Sequence, residues 1–461
     1  MKEIHWRSLP YDRDFFEQYL FLAEAASRHI LLESGRQGRF SLAGFDPVAH
    51  FTGKDGKTTQ VSGGKAVSHE GNPMDALKRY MKENYVGTII PGIPFVGGAV
   101  GYLSYDYVRY LEKLPPTAHD DLGLFDLEFL VFDDVAVYDQ HKKQLWLITA
   151  GKADPEGFLD DWQRQWETVP ALATGPRQEG LPEHGVSFGE DDFCQAVERI
   201  QEYIKAGDVF QVNLAVRQSE KLLAPPIDIY KQVRRLNPSP YMAYLKLGHM
   251  EVVSCSPELL IKKEGKTLST RPIAGTRSRG ANDGEDLKLA MELIENEKER
   301  AEHVMLVDLE RNDLGKVSQY GSVHVDELMA IEKYSHVQHI VSNVTSQIAD
   351  EYDVYDAIDA MFPGGTITGA PKIRCMEIIE ELEPVRRGLY TGAIGWIGYN
   401  EDAEFNIVIR TLVAKDGMAH IQAGAGVVID SVPKREYAES LKKARALWHA
   451  KELADEREGS L

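Results

Sequence analysis

Two segments of this chain, "KERAEHVMLVDLERND" (298–313) and "PKREYAESLKKARALW" (433–448), each carry a pair of glutamates three residues apart: Glu299 with Glu302, and Glu436 with Glu439. Residues at this spacing share one face of a helix, so each pair sets two carboxylates side by side. The chain already has a formal net charge of -20. A fold that forms both helices must give these carboxylates either bulk water or something cationic. Alone, either pair reads as a solvated helix face, and other features decide between the two readings.

The whole chain narrows the choice. Its 461 residues correspond to two or three average domains or one large integrated one. At 43% hydrophobic and 27% charged residues it is of ordinary globular composition. The acidic balance argues against a nucleic-acid partner, which needs a basic face, and against anionic membrane surfaces. No run approaches the ~20 apolar residues that a membrane span requires. "MKEIHWRSLP" has no apolar signal core. Cys194, Cys255 and Cys375 are odd in number and widely spaced, with no zinc or disulfide pattern. A cytoplasmic location is the expectation.

Along the chain, "HILLES" (29–34), "RFSLAGF" (39–45) and "FLVFDDVAVYDQHKKQLWLITAG" (129–151) read as strands, the last as a hairpin around "DQHKKQ". Residues 166–190, rich in Pro and Gly and without periodicity, read as a linker. The expected plan is therefore a strand-rich domain over 1–165, the linker, and a second domain over 191–455. In "DDFCQAVERIQEYIKAGD", Phe193, Val197, Ile200 and Ile204 form one helical stripe, and Gly207 is the stop. "VFQVNLAVRQ" is a strand, residues 241–275 are successive strands with a turn at "KKEGKT", and 285–309 are one helix. Residues 392–428 read as a meander, and a closing helix has Ser431 near its cap and Pro433 in its first turn.

Two glycine-rich stretches, "RPIAGTRSRG" (271–280) and "QAGAGVV" (422–428), fit neither the P-loop nor the dinucleotide pattern. They read as tight turns or as backbone that lets an anion approach. Arg410, in the apolar "NIVIRT", needs an anion, which a structural salt bridge or a ligand could provide. All these features agree if the ligand is a small molecule bearing carboxylates. Arg410 and the glycines would hold one carboxylate, and a hard divalent cation such as Mg²⁺ would fill the glutamate socket, since it takes oxygen ligands and shares its shell with water and substrate.

Nine motifs in order then carry a resemblance: "IKAGDVFQVNLAVR", "SCSPELL", "RPIAGTRSRG", "KERAEHVMLVDLERNDLG", "YSHVQHIVSNV", "FPGGTITGAPKIRCMEIIEELEP", "RGLYTGAIGW", "NIVIRT" and "AGAGVVIDSVPKREYAES". The sequence resembles the chorismate-utilising enzymes, densely over 185–450 and more thinly before, through "LLESGRQGRFSLAGFDP". The resemblance implies an α/β (α+β) fold like that of anthranilate synthase component I, with two layered sub-domains whose large antiparallel sheets are covered by helices. It implies chorismate and Mg²⁺. Glu302 and Glu439 are then similar to direct metal ligands, with Glu299 and Glu436 holding metal-bound water. Gly275, Thr276, Tyr390, Arg410, Gly424, Ala425 and Gly426 match the substrate contacts. His339 matches the group that assists loss of the C4 hydroxyl, and Glu258 a residue of proton transfer.

Two positions bear on the nucleophile. Family members that add water resemble one another in a lysine at the place of Gln211, and glutamine cannot deprotonate water. Ammonia is the expected nucleophile, supplied by a glutamine amidotransferase subunit, because this sequence lacks a Cys–His–Glu amidotransferase module. Many aminodeoxychorismate synthases carry a C2-attacking lysine where this chain has Ala274, whereas anthranilate synthases carry alanine. Asn213, Gly365, Thr368, Asn406 and Ser278 resemble the aminodeoxychorismate branch. Amination at C4 is therefore the expectation, and anthranilate formation the alternative. Ser34, Pro240, Tyr241 and Met242 occupy the positions of the family's tryptophan pocket. That leaves open a reading as a non-catalytic, tryptophan-binding regulatory subunit, which the intact glutamates, His339 and Arg410 oppose.

Overall fold

A computed structural model describes residues 2–35, 38–169, 184–280, 282–333 and 337–456. Its frame is two antiparallel sheets of twelve strands each among the described residues. Each sheet draws strands from both ends of the sequence. In the first, His29–Glu33 pairs with Tyr241–Lys246, opposing Glu33 to Met242. In the second, Gly98–Leu103 pairs with Ala393–Gly398, opposing Val100 to Trp396. The sequence divides at the Pro- and Gly-rich stretch, but both sheets run across that division. Of the expected linker, residues 170–183 lie outside the described residues. Its ends belong to regular elements, the helix Pro155–Glu167 and the strand His184–Val186.

The core is continuous between the sheets. Phe129, Tyr102 and Phe405 of one sheet pack with Leu245, Val252 and Val137 of the other, all with essentially no exposure. A second cluster covers the opposite face of the first sheet with Tyr19, Trp162, Trp166, Tyr230 and Trp448, which come from four different helices. A third seats the helices Glu190–Ala206 and Lys372–Leu382 on the strand Gln211–Lys221.

The helix read over 191–208 forms as Glu190–Ala206, with Phe193, Val197 and Ile200 buried. Gly207 ends it in the left-handed conformation (φ 84°) that glycine adopts without strain. Three other readings differ from the structure, each for a local reason. The run over 129–151 is three strands, Leu127–Phe132, Asp134–Asp139 and Gln144–Ala150. The chain changes sheet at Asp133, so only the last two form the expected hairpin. The meander over 392–428 changes sheet likewise: Ala393–Gly398 and Ala403–Ile407 lie in one, Thr411–Lys415 and Met418–Val427 in the other. Arg410 is thus in the crossover and not in a strand. Its φ is 50°, and its carbonyl accepts the Cys255 N–H at 3.1 Å. The helix expected over 285–309 is two, Asp283–Glu295 and Glu297–Gly315. Asn296 breaks it with extended dihedrals, and its Oδ1 accepts the Glu299 N–H at 3.0 Å.

That cap fixes the start of the helix that presents Glu299 and Glu302. Asn296→Ala should lower unfolding stability by about 1 kcal/mol, the usual cost of losing such a cap. Urea unfolding checks this, and a change below a few tenths of a kcal/mol would show that the cap is dispensable.

Candidate active site

Two adjacent strands form the floor of the site. Gln211–Lys221 and Met418–Val427 pair with Asn213 opposite Gly426, Leu214 opposite Ala425 and Ala215 opposite Gly424. A Cβ on Gly424 would lie 2.5 Å from Asn213 Oδ1, and one on Gly426 2.2 Å from Gln211 Nε2. The glycines are required because two amide side chains lie flat over them. Arg387 secures this floor from below. It is buried against Glu383 at 2.6 Å and donates to the Asn213 carbonyl at 2.7 Å, with the Tyr390 ring 5.5 Å away.

One wall is the strand Ile273–Ser278, paired with Val337–Gln347. The register slips between Ala274 and Thr276, where Gly275 takes φ 61°. A glycine in this conformation is the usual first residue of a bulge, and the bulge re-aims its neighbours. Thr276 then opposes His339, whose Nδ1 lies 3.0 Å from Thr276 Oγ1 and 3.1 Å from the Gly275 carbonyl. Burial, aided by the charge of Arg410, lowers the His339 pKa to about 4. The ring is neutral at pH 7, and Nδ1–H donating to Gly275 leaves Nε2 as its basic nitrogen.

The glutamates stand on the helices Glu297–Gly315 and Pro433–Asp455. Glu302 accepts from Gln211 Nε2 at 3.2 Å. Glu299 pairs with Arg277 at 3.1 Å, and Glu439 with Lys443 at 3.1 Å. Lys443 also donates to the Gly424 carbonyl at 3.0 Å, joining the second helix to the floor. Glu436 has its pKa raised, mainly by burial, with the Ser431 hydroxyl opposing. His303, next to Glu302 in sequence, turns into the core instead and meets Ser342 Oγ at 2.6 Å. Among the described residues no three of His, Cys, Asp and Glu converge closely enough to hold a metal ion unaided.

Glu258 and Arg410 complete the constellation. Arg410 is half-buried, and among the described residues its guanidinium enters no ion pair. The structural salt bridge that could have explained it is absent there, and its charge acts on both Glu258 and His339. Glu258 is 5% exposed, and burial raises its pKa to about 7, against a smaller opposing effect of Arg410. Nearby Glu310, hydrogen-bonded by Thr270 at 3.2 Å, is raised to about 8 by burial and by the charge of Asp313.

Sequence reasoning missed Arg277, Lys443 and Glu310. Lys443 was visible in principle, since it sits one helical turn beyond Glu439 and therefore on the same face. Nothing in the spacing marked Arg277 or Glu310, whose partners are distant in sequence. Ser34, Pro240, Tyr241 and Met242 do come together, lining a separate cavity of about 610 Å³ between the sheets. Asn406 also lines that cavity, so this marker of the aminodeoxychorismate branch lies away from the glutamates.

The profile of the family described as chorismate binding enzymes matches residues 27–449. The chain belongs to the chorismate binding enzymes. Aminodeoxychorismate synthase component 1 of Bacillus subtilis (strain 168) is 56% identical over 460 residues, covering 98% of this chain and 97% of that one. Anthranilate synthase component 1 of Thermus thermophilus is 46% identical over 444 residues, 95% of each. The crystal structure of anthranilate synthase component I from Streptococcus pneumoniae superposes with a TM-score of 0.79 at 32% identity, over 90% of this chain and 93% of that one. The expected fold, mixed α and β with two large antiparallel sheets and helices, is the one found. No helix among the described residues of this chorismate binding enzyme is long and apolar enough to cross a membrane.

The buried carboxyls dictate a pH dependence. In the unfolded chain they titrate near 4.3, and in the folded chain near 7 and 8. Their neutral forms therefore favour the fold fully below pH ~4, and that contribution is lost as pH rises through 7 and 8. Relative to the parent, Glu258→Gln, which stays neutral, should gain stability between pH 4 and pH 8.5, by on the order of 3 kcal/mol at most. Urea unfolding at the two pH values checks this, and equal losses in both chains would rule it out.

Proposed function

We propose that this enzyme converts chorismate and ammonia to 4-amino-4-deoxychorismate, with ammonia delivered by a glutamine amidotransferase subunit. The observation that carries the reading is the 56% identity to an aminodeoxychorismate synthase component 1 over nearly the whole of both chains, ten points above that to an anthranilate synthase component 1. The designation component 1 of both relatives points to a second component. Asn213, one marker of the aminodeoxychorismate branch, stands opposite Gly426 in the proposed site floor, which supports this reading.

Arg410, a cation without an ion-pair partner among the described residues, binds a chorismate carboxylate, and the backbone of Gly424, Ala425 and Gly426 forms the floor on which the Asn213 and Gln211 amides lie. Tyr390 supports this floor through Arg387. Glu258, held near half-protonation at neutral pH, gives its proton to the departing C4 hydroxyl. His339 cannot do this as a neutral ring whose Nδ1–H is committed to Gly275. It accepts a hydrogen bond through Nε2 and, with Thr276, orients the leaving group. Gln211 offers no base, since a carboxamide cannot take a proton from water, and its NH₂ group is bonded to Glu302. Ala274, 8% exposed and opposite Ile340, has no amine with which to form a covalent adduct at C2. The first step therefore falls to positioned ammonia.

The chemistry of the donors suits Mg²⁺, all oxygen and drawn from two helices, and because no three carboxylates converge among the described residues, water and substrate would have to complete the shell. Glu302 and Glu439 would be its ligands, with Glu299 and Glu436 on its waters. When bound, the ion would supply Lewis acidity and neutralise the gathered carboxylates.

Anthranilate formation is the second reading, favoured by Ala274. The experiment is chromatographic analysis of products from the purified chain with chorismate, Mg²⁺ and ammonium. 4-Amino-4-deoxychorismate is expected, and release of anthranilate with pyruvate would decide for the second reading. The chain alone should use ammonium and not glutamine. Excess chelator should abolish turnover, and Glu302→Gln should lower it by roughly a hundredfold or more with the fold intact by circular dichroism. Unchanged turnover in chelator would refute the metal assignment.

A further inference from the structure

The carboxylates gathered for a cation are already engaged by the chain. Gln211 donates to Glu302 at 3.2 Å, Lys443 pairs with Glu439 at 3.1 Å, and Arg277 pairs with Glu299 at 3.1 Å. The three partners differ in kind. Gln211 is uncharged. Lys443 lies on the same helix as Glu439, four residues on, and keeps a second bond to the Gly424 carbonyl. Arg277 alone of these three brings a full positive charge from a different element, the strand Ile273–Ser278 that bears Gly275 and Thr276.

The Arg277–Glu299 contact is built by the bulge. A Cβ on Gly275 would lie 2.9 Å from Glu299 Oε2, so the carboxylate rests against the glycine while the guanidinium two residues on reaches its Oε1. The guanidinium also donates to the Thr276 carbonyl at 2.9 Å. The two side chains are 29% and 24% exposed, unlike the buried Arg387–Glu383 pair at 1% and 3%. A partly exposed ion pair is weak and opens readily into water, whereas breaking a buried one strands a charge. Arginine also cannot leave by losing its proton, so it releases Glu299 only by swinging away.

We propose that Arg277 is an exchangeable internal counter-ion: it neutralises Glu299 while the divalent cation is absent and is displaced when the cation binds, so that cation affinity is set against this ion pair. Arg277 is thus a positioning residue acting through Glu299. The proposal rests on the assignment of the glutamates to a divalent cation.

The test is titration of the metal-free chain with Mn²⁺, a paramagnetic substitute for Mg²⁺, following free ion by electron paramagnetic resonance. Removing the competitor in Arg277→Gln should tighten binding about three- to fivefold, the upper part of the range open to an ion pair of this exposure. Arg277→Lys should restore parental affinity. In a Glu299→Gln background, where the counter-ion has nothing to neutralise, Arg277→Gln should change affinity less than twofold. A merely structural role for Arg277 predicts weaker binding in Arg277→Gln. Binding that is weakened or indistinguishable from the parent's overturns the proposal, as does equal tightening in the Glu299→Gln background. A second arm with chorismate present separates the two levels: if the parent takes up no Mn²⁺ even then, the cation assignment itself falls.

Discussion

Carboxylates set side by side on a helix face have to be kept from repelling one another. The groups that do this reach across the whole site. Gln211 comes from the floor strand, Arg277 from the bulged wall, and Lys443 from the helix that carries Glu439. Each contact ties one element to a glutamate or to the floor, so the bonds that satisfy the carboxylates also hold these elements together. Like charges on one helix face cost a few tenths of a kcal/mol per pair in water and more where partly buried, so single partners of this strength suffice.

The site can exist only because the chain changes sheet beside it. Ala403–Ile407 and Thr411–Lys415 would be one strand in a simple sandwich, but they belong to different sheets, and the residues between them carry Arg410. A non-glycine residue held at positive φ is costly, on the order of 1 kcal/mol or more, and persists only where its surroundings impose it. Here Cys255 bonds the Arg410 carbonyl, and the strands on either side are locked in their separate sheets. The cation is left facing the site with no ion-pair partner among the described residues, next to a carboxyl and an imidazole that burial holds near neutrality.

In the proposed reaction, one environment acting on two residue types would divide the acid–base roles. Glu258 and His339 are both deeply buried, and burial disfavours the charged form of each. For a carboxyl this raises the pKa towards 7, as the proposed proton donor requires. For an imidazole it lowers the pKa to about 4, as the proposed acceptor requires. The same physical cause therefore sends the two groups in opposite directions, and the hydrogen bond from His339 Nδ1 to Gly275 selects which nitrogen takes part.

Much of this was legible in the chain itself, and the reason is locality. The helix Glu190–Ala206 follows from an apolar stripe and a glycine stop, and the glutamate pairs from a spacing of three. The motif order identified the family, and with it His339, Thr276 and the glycines that the structure brings together. Two kinds of fact were not legible. Alternating strand patterns look the same whichever sheet receives them, so the changes of sheet at Asp133 and at Val408–Arg410 were hidden, as was the break at Asn296 within an unbroken helical pattern. The pairing of Arg277 with Glu299 and of Gln211 with Glu302, and the proton affinity of Glu258, depend on groups brought near from 15 to over 150 residues away. Spacing along a chain determines which side chains share a face. Only the packed sheets decide which faces meet and how much water is left between them, and that residual water sets the charge each group can carry.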